Sequence, residues 1–319
     1  MTLITIPLVA YGAASAVVWD KLTSVSTQCG GRWAQNTPQA FEAPAEYAMD
    51  TSPWAMPAPE EVLIPSRDPG IEIAGWWLPA TPRDGEGPAP AVVVVHGFTA
   101  CRHDHAVLLP AGMLHRNGYS VLLIDLRDHG DSTREDGRFA GGTDEYRDVL
   151  GAWDWLRAEQ GLPPASIGLL GISLGAVTVL LATGQEPAVA AVWEDSSYAD
   201  LATAIDAEIT REGYPTFLAP GGVFVARLIS GDDLVSYSPL DAVGALDGRP
   251  LFITHGTSDE RLSVEYGHRL EEAVRATGGN VETWYVEAAK HTEAMVTDPA
   301  GYEERLVGFF GTTLARSAP

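Results

Sequence analysis

Apolar runs of strand length recur along the chain. Residues 91–95, Ala-Val-Val-Val-Val, have no polar position at all, as in a parallel strand buried on both faces. Similar runs stand at 120–126, 167–170, 189–194, 251–256 and 281–286. Between them lie stretches whose apolar positions repeat at helical spacing, at 104–116, 145–159, 264–277 and 301–314, with a small-residue apolar stretch from Leu174 that reads as a buried helix. Upstream, 61–65 and 71–78 read as a hairpin turned at Arg67-Asp68-Pro69-Gly70. Strands alternating with helices predict an α/β fold with a mostly parallel, doubly wound sheet. Ligands bind such a sheet outside the carboxyl ends of its strands.

Two regions break the alternation. Between Asp195 and Asp247 lie roughly fifty residues, where one crossover needs about ten. Tyr214-Pro215, Pro220-Gly221-Gly222 and Pro239 cut this stretch into short helical pieces. It begins at the ligand-binding end, so residues 197–246 are expected to form a helical lid. Its many large apolar residues must pack on something.

The other region is the start of the chain. From Thr2 to Trp19 there is no charge. As a helix that run would reach about 27 Å, close to the ~30 Å of a bilayer's hydrocarbon core. Residues 1–21 are therefore expected to be a membrane anchor, ahead of a cleaved leader and secretion (Ala14-Ser15-Ala16 resembles a cleavage site) and ahead of a buried helix. Residues 22–58, rich in Pro, Ser, Thr, Gln and Ala, read as a linker over the surface of a domain at 59–319. That domain is expected to work without the anchor. Neither membrane orientation nor oligomeric state is written in the sequence.

The length of 319 residues suits one α/β domain with an insertion. There are 43 acidic residues against 20 basic ones, a formal net charge of -23. Such a surface repels nucleic acid, so no nucleic-acid partner is expected. It fits a soluble, self-repelling surface or adaptation to high salt. Cys29 and Cys101 make no disulfide framework and no metal motif, and Cys101 reads as a half-buried thiol.

The chemistry centres on Gly171-Ile172-Ser173-Leu174-Gly175, between a strand and a helix. A G-x-S-x-G turn there is sharp enough to force a strained serine, with its hydroxyl pushed out of the sheet edge. A serine needs a base within hydrogen-bond reach, and the base needs an orienting carboxylate. His291, just past the last strand, is the expected base, with His129 its rival; the order Ser…Asp…His favours His291. Asp259, after the strand at 251–256, is the expected acid, with Asp195 its rival. The oxyanion hole is expected from the backbone N–H groups of Phe98 and Leu174, and Phe98, Thr99, Trp193 and Tyr198 are expected to line the substrate pocket. No metal site is expected.

Five motifs stand in order: His96-Gly97-Phe98-Thr99, Asp125-Leu126-Arg127-Asp128-His129-Gly130-Asp131-Ser132, the serine motif, His255-Gly256-Thr257-Ser258-Asp259 and His291-Thr292-Glu293-Ala294. Over about residues 60–314 the chain resembles α/β-hydrolases of the serine-esterase and Bem46-like type. The resemblance implies the α/β-hydrolase fold and hydrolysis of esters, thioesters or sometimes peptides, with no cofactor. Many such proteins also carry an N-terminal membrane segment. Asp128 departs from the pattern, which usually has glycine there. The leading expectation is a hydrolase of small-molecule carboxylic esters acting through an acyl-enzyme on Ser173. The alternatives are a serine peptidase of short peptides and an inactive hydrolase fold serving as a binding scaffold.

Overall fold

The computed structural model describes residues 2–26, 29, 31, 33–82, 87–231 and 233–315, with side chains from residue 8 onward. Eight strands form one sheet: β1 (Glu60–Pro65), β2 (Glu72–Leu78), β3 (Ala91–Val95), β4 (Ser120–Ile124), β5 (Ile167–Ile172), β6 (Ala191–Asp195), β7 (Leu251–Gly256) and β8 (Val281–Val286). Their order is β1-β2-β4-β3-β5-β6-β7-β8. Only β1 and β2 run antiparallel to their neighbours; β4 onward is parallel.

The valines of β3 show why the centre of the sheet reads as an unbroken apolar run. Val93 and Val95 enter the core on one face, and Val92 and Val94 enter the core on the other. Both faces are covered, so alternation has no polar side to reveal. Helices α3 (Tyr146–Ala158), α4 (Leu174–Gln185), α7 (Pro239–Gly244) and α8 (Glu265–Ala276) pack in sequence along one face. Helices α2 (His105–Arg116) and α10 (Pro299–Thr313) pack together on the other. The Asp104 carboxylate starts α2 by accepting the N–H of Ala106.

The insertion between β6 and β7 holds α5 (Leu201–Arg211), α6 (Ala219–Ile229) and α7. Helix α7 packs on α4 and α8, so it is the crossover helix of the sheet rather than part of the lid. The lid proper is α5, α6 and the turn between them, which is shorter than the span 197–246 read from the sequence.

Helix α1 (Thr2–Thr23) takes a place that the sequence reading ranked last for it. Its carboxyl-terminal half is a third helix of the lid. Val18 is buried with Ile205, Ile209 and Leu218, and Trp19 with Val225, Ala226 and Leu234. Its end is also pinned to the body. Arg138 lies over the Trp19 ring at 3.7 Å and pairs with Asp20 at 2.8 Å, and Phe139 N–H donates to Thr23 O at 2.8 Å. Among the described residues no helix is long and apolar enough to cross a membrane.

Beyond α1 the chain is fastened at several points. Trp33 stacks near His105, and Phe41 and Met56 are buried in the α2–α10 core. Cys29 and Cys101 are joined in a disulfide, with Cα atoms 6.0 Å apart. This corrects the reading of Cys101 as a half-buried thiol: it is fully buried and bonded. Two lone cysteines 72 positions apart carry no spacing signal, so only the fold brings them together.

Candidate active site

Ser173 stands between β5 and α4 with φ 55° and ψ -113°. That left-handed backbone is strained for any residue with a Cβ. The flanking glycines make the turn possible. A Cβ on Gly171 would strike the Gly175 carbonyl, and one on Gly175 would strike the carbonyls of Val95 and His96. A hydrogen bond from Ser173 N–H to Asp195 O, 2.8 Å, holds the turn against β6.

His291 Nε2 lies 2.9 Å from Ser173 Oγ, and His291 Nδ1 lies 2.7 Å from Asp259 Oδ2. A carboxylate can only accept, so Nδ1 carries the proton and Nε2 is left bare toward the serine hydroxyl. Asp259 is fixed from below: its Oδ1 accepts the N–H groups of Arg261 at 2.9 Å and Leu262 at 2.8 Å. A second histidine shares it, for His255 Nε2 donates to Leu262 O at 2.7 Å and lies 3.3 Å from Asp259 Oδ2. Burial alone would raise the Asp259 carboxyl. The hydrogen bonds from His255 and His291 and the Leu262 N–H outweigh it and hold Asp259 far below the usual carboxylate range.

The rivals occupy other posts. His129 is buried, donates through Nδ1 to Arg127 O at 2.8 Å and lies tilted against the His96 ring at 4.8 Å; burial pushes it down to about 3. Asp195 accepts Ser196 Oγ–H at 2.8 Å and Tyr302 Oη–H at 3.0 Å, and burial pushes it up to about 6. Ser196 Oγ in turn accepts the Thr292 N–H at 3.3 Å, so Asp195 braces the His291 loop from beneath. Asp128 adopts φ 62°, the conformation for which glycine is usual, and its Oδ1 accepts the N–H groups of Glu135 and Gly137 at 2.9 and 2.7 Å. The side chain supplies from within what the loop needs.

A cavity of about 320 Å³ opens over Ser173. Phe98, Thr99 and Tyr198, named from the sequence for the pocket, line it together with Leu174, named for the oxyanion hole, and Tyr198 is held by its hydroxyl on Gly141 O at 3.0 Å. Leu174 begins α4, so its N–H is among those without a helical partner. The Phe98 loop passes close by: a Cβ on Gly97 would lie 3.3 Å from Ser173 Cβ. Trp193 is a correction. It is fully buried on the opposite face of the sheet, stacked on Phe252 at 3.9 Å and packed against Tyr302 and Phe309. On a strand buried on both faces, position alone does not tell which way a side chain points.

The sequence reading missed several parts of the wall. Lys21, Leu22 and Ser24 come from the end of α1 and just beyond it. Phe139 comes from the loop before α3, and Leu201, Ala204 and Ile205 from α5. At the rim stand Glu208, Arg211, Glu212 and Arg261, with Glu208 paired to Arg211 and, at 3.8 Å, to Arg261. Leu22 lies just past the uncharged N-terminal run, and nothing in that pattern separates a lid helix from an anchor.

A serine, a histidine and a carboxylate in hydrogen-bonded series at the carboxyl edge of this sheet define a serine hydrolase of the α/β-hydrolase class. Residues 109–317 match the Prolyl oligopeptidase family (Peptidase_S9), and the chain belongs to that family. It is similar to an uncharacterized protein of Mycobacterium tuberculosis, 28% identical over 244 residues that cover 76% of each chain. Its fold is similar to that of the Pyrococcus furiosus esterase Pf2001, with a TM-score of 0.64 and 21% identity over 92% of this chain and 100% of that one. It is also similar to the Pyrococcus horikoshii acylaminoacyl peptidase, with a TM-score of 0.59 and 20% identity over 80% of this chain and 42% of that one. At those identities the two structures speak for the fold alone.

Proposed function

We propose that this protein hydrolyses carboxylic esters with neutral, apolar acyl groups of short to medium length, through an acyl-enzyme on Ser173. The observation that carries the reading is the Ser173–His291–Asp259 series beneath a cavity whose inner wall is Leu22, Phe98, Phe139, Leu174, Leu201 and Ile205. Ser173 Oγ attacks the acyl carbon while His291 Nε2 takes its proton. The N–H groups of Leu174 and Phe98 receive the negative charge that develops on the carbonyl oxygen. The C–O bond to the alcohol then breaks, and His291 returns the proton to the departing oxygen. Water, deprotonated by His291, repeats the attack and frees the acid and the serine. Asp259 keeps the imidazole in the tautomer each step requires.

A peptidase reading has family membership in its favour, and the P. horikoshii neighbour carries that name. The rim argues the other way. A free peptide amino terminus wants an unpaired carboxylate, and Glu208 is engaged by Arg211 and Arg261. The test compares p-nitrophenyl esters of increasing acyl length with aminoacyl arylamides, using Ser173→Ala as control. Ester turnover well above arylamide turnover, lowered roughly 10⁶-fold in the control, is the expected result. Faster arylamide cleavage would make the protein a peptidase. A control that keeps a tenth of the activity would remove Ser173 as nucleophile.

A further inference from the structure

Two neighbouring helices hold large apolar side chains out in water. Leu8 and Val9 on α1, Phe217 in the turn before α6, and Phe224, Leu228 and Ile229 on α6 are each between 63% and 71% exposed. The two helices form one surface. The Tyr11 and Phe217 rings stack at 6.3 Å, and Tyr11 Oη donates to Phe217 O at 3.0 Å. Gly221 lets the backbones close up, since a Cβ there would collide with Ser15 Oγ. The opposite sides of the same helices are already used inside the lid, through Val18, Trp19, Val225 and Ala226. The outer residues are therefore a separate apolar face, of a kind that marks an interaction site.

Charge says what covers it. The chain carries 43 acidic residues, yet none lies in residues 2–19 or 213–231. Arg227 is the one charged residue in those two stretches. A second copy of a chain with net charge -23 would meet long-range repulsion. A zwitterionic lipid surface brings no net charge. The carboxyl-terminal half of α1 is packed into the lid, and a face shared by two helices can lie in the plane of the interface.

We propose that the α1–α6 face docks the protein on a neutral phospholipid surface, lying in the interface rather than crossing it. The cavity wall is built from the same lid: Leu22 lies in the last turn of α1, and Leu201 and Ile205 cluster with it from α5. Docking thus acts on the lid that walls the site. The inference stands on the apolar face, whatever the substrate proves to be.

The full chain is sedimented with phosphatidylcholine vesicles. Wild type should partition onto them and come off in alkaline carbonate. Phe224→Ser with Leu228→Ser should lower partitioning on the order of 100-fold, and Leu8→Ser with Val9→Ser by a similar factor. Thermal unfolding and hydrolysis of a short soluble ester should stay at the wild-type level in both pairs, which keeps loss of fold apart from loss of docking. Wild type that ignores the vesicles overturns the proposal. So does an α6 pair that binds like wild type, for α1 alone would then be the anchor. A dimer in light scattering that the α6 pair converts to monomer, with no vesicle binding, would assign the face to a second copy.

Discussion

Asp195 ends β6 and Asp259 lies in the loop after the adjacent β7, yet only Asp259 reaches His291. The difference is in their partners: Asp259 takes the His291 Nδ1–H, while both oxygens of Asp195 are filled by Ser196 and Tyr302. Asp259→Asn should keep the fold and lower kcat by about 10⁴, because the amide can donate and would stabilise the wrong tautomer. Asp195→Asn, which disturbs only the brace under Thr292, should cost far less. Steady-state kinetics of the two variants checks this, and the reverse ranking would move the acid one strand back. Glu145 offers a second measurement at this scale. It is fully buried, its Oε1 accepts the Ala140 N–H at 2.9 Å, and Oε2 has no hydrogen-bond partner. Burial pushes it up to about 8, whereas an unfolded glutamate titrates at about 4.3. Between those values the unfolded chain has lost a proton that the folded protein keeps, so stability falls as pH rises through the window and levels off above it. The slope is at most about 1.4 kcal/mol for each unit of pH. Glu145→Gln should therefore shrink the drop in Tm between pH 5 and pH 8. Parallel pH profiles for the two proteins would show that the carboxyl is already ionised in the fold.

At the scale of elements, the disulfide ties the segment after α1 to the loop that bears Phe98. Closing 72 residues of unfolded chain stabilises the fold by about 4 kcal/mol in the chain-entropy account. Cys29→Ser should lower Tm clearly while leaving the Ser173–His291–Asp259 distances, and so kcat on a small ester, near wild type. Calorimetry decides it, and an unchanged Tm would mean the segment holds without the bond. This tie was invisible in the sequence, as was the docking of α1. An uncharged helix reads the same whether its cover is lipid or a lid, and two cysteines have no spacing to read. The strands and the grouping of Ser173, Asp259 and His291 were legible because each rests on a local signature: a run with no polar side, a glycine where a Cβ would collide, a histidine just past a strand. Trp193 was not, since a strand buried on both faces gives no sign of which side chain faces which core. That the chain carries an insertion between β6 and β7 was legible from the excess of residues there, but its division into the lid helices α5 and α6 and the crossover helix α7 depends on contacts with α4 and α8.

Over the whole molecule, charge is distributed in two ways that salt separates. Buried pairs such as Arg102–Asp125 and Arg127–Asp148 are shielded from solvent, with both partners at most a few per cent exposed. Ions in solution reach them poorly. The excess of acidic groups behind the net charge of -23 is different: many of those carboxylates repel one another across water. Raising ionic strength shortens the range of that repulsion from about 30 Å at 0.01 M to about 3 Å at 1 M. It should leave the buried pairs almost untouched. Stability should therefore rise with sodium chloride, with Tm higher by at least about 2 °C at 0.5 M than at 0.01 M, the shift expected from roughly 1 kcal/mol. The same comparison in urea, where charge is unaffected by heating, should move the midpoint upward without changing its slope. A Tm that falls with salt would mean that partly exposed pairs such as Arg67–Asp154 and Arg269–Asp200 contribute more than the repulsion costs. That outcome would place the balance of surface charge with its attractive contacts, and the acidic excess would then be a matter of solubility alone.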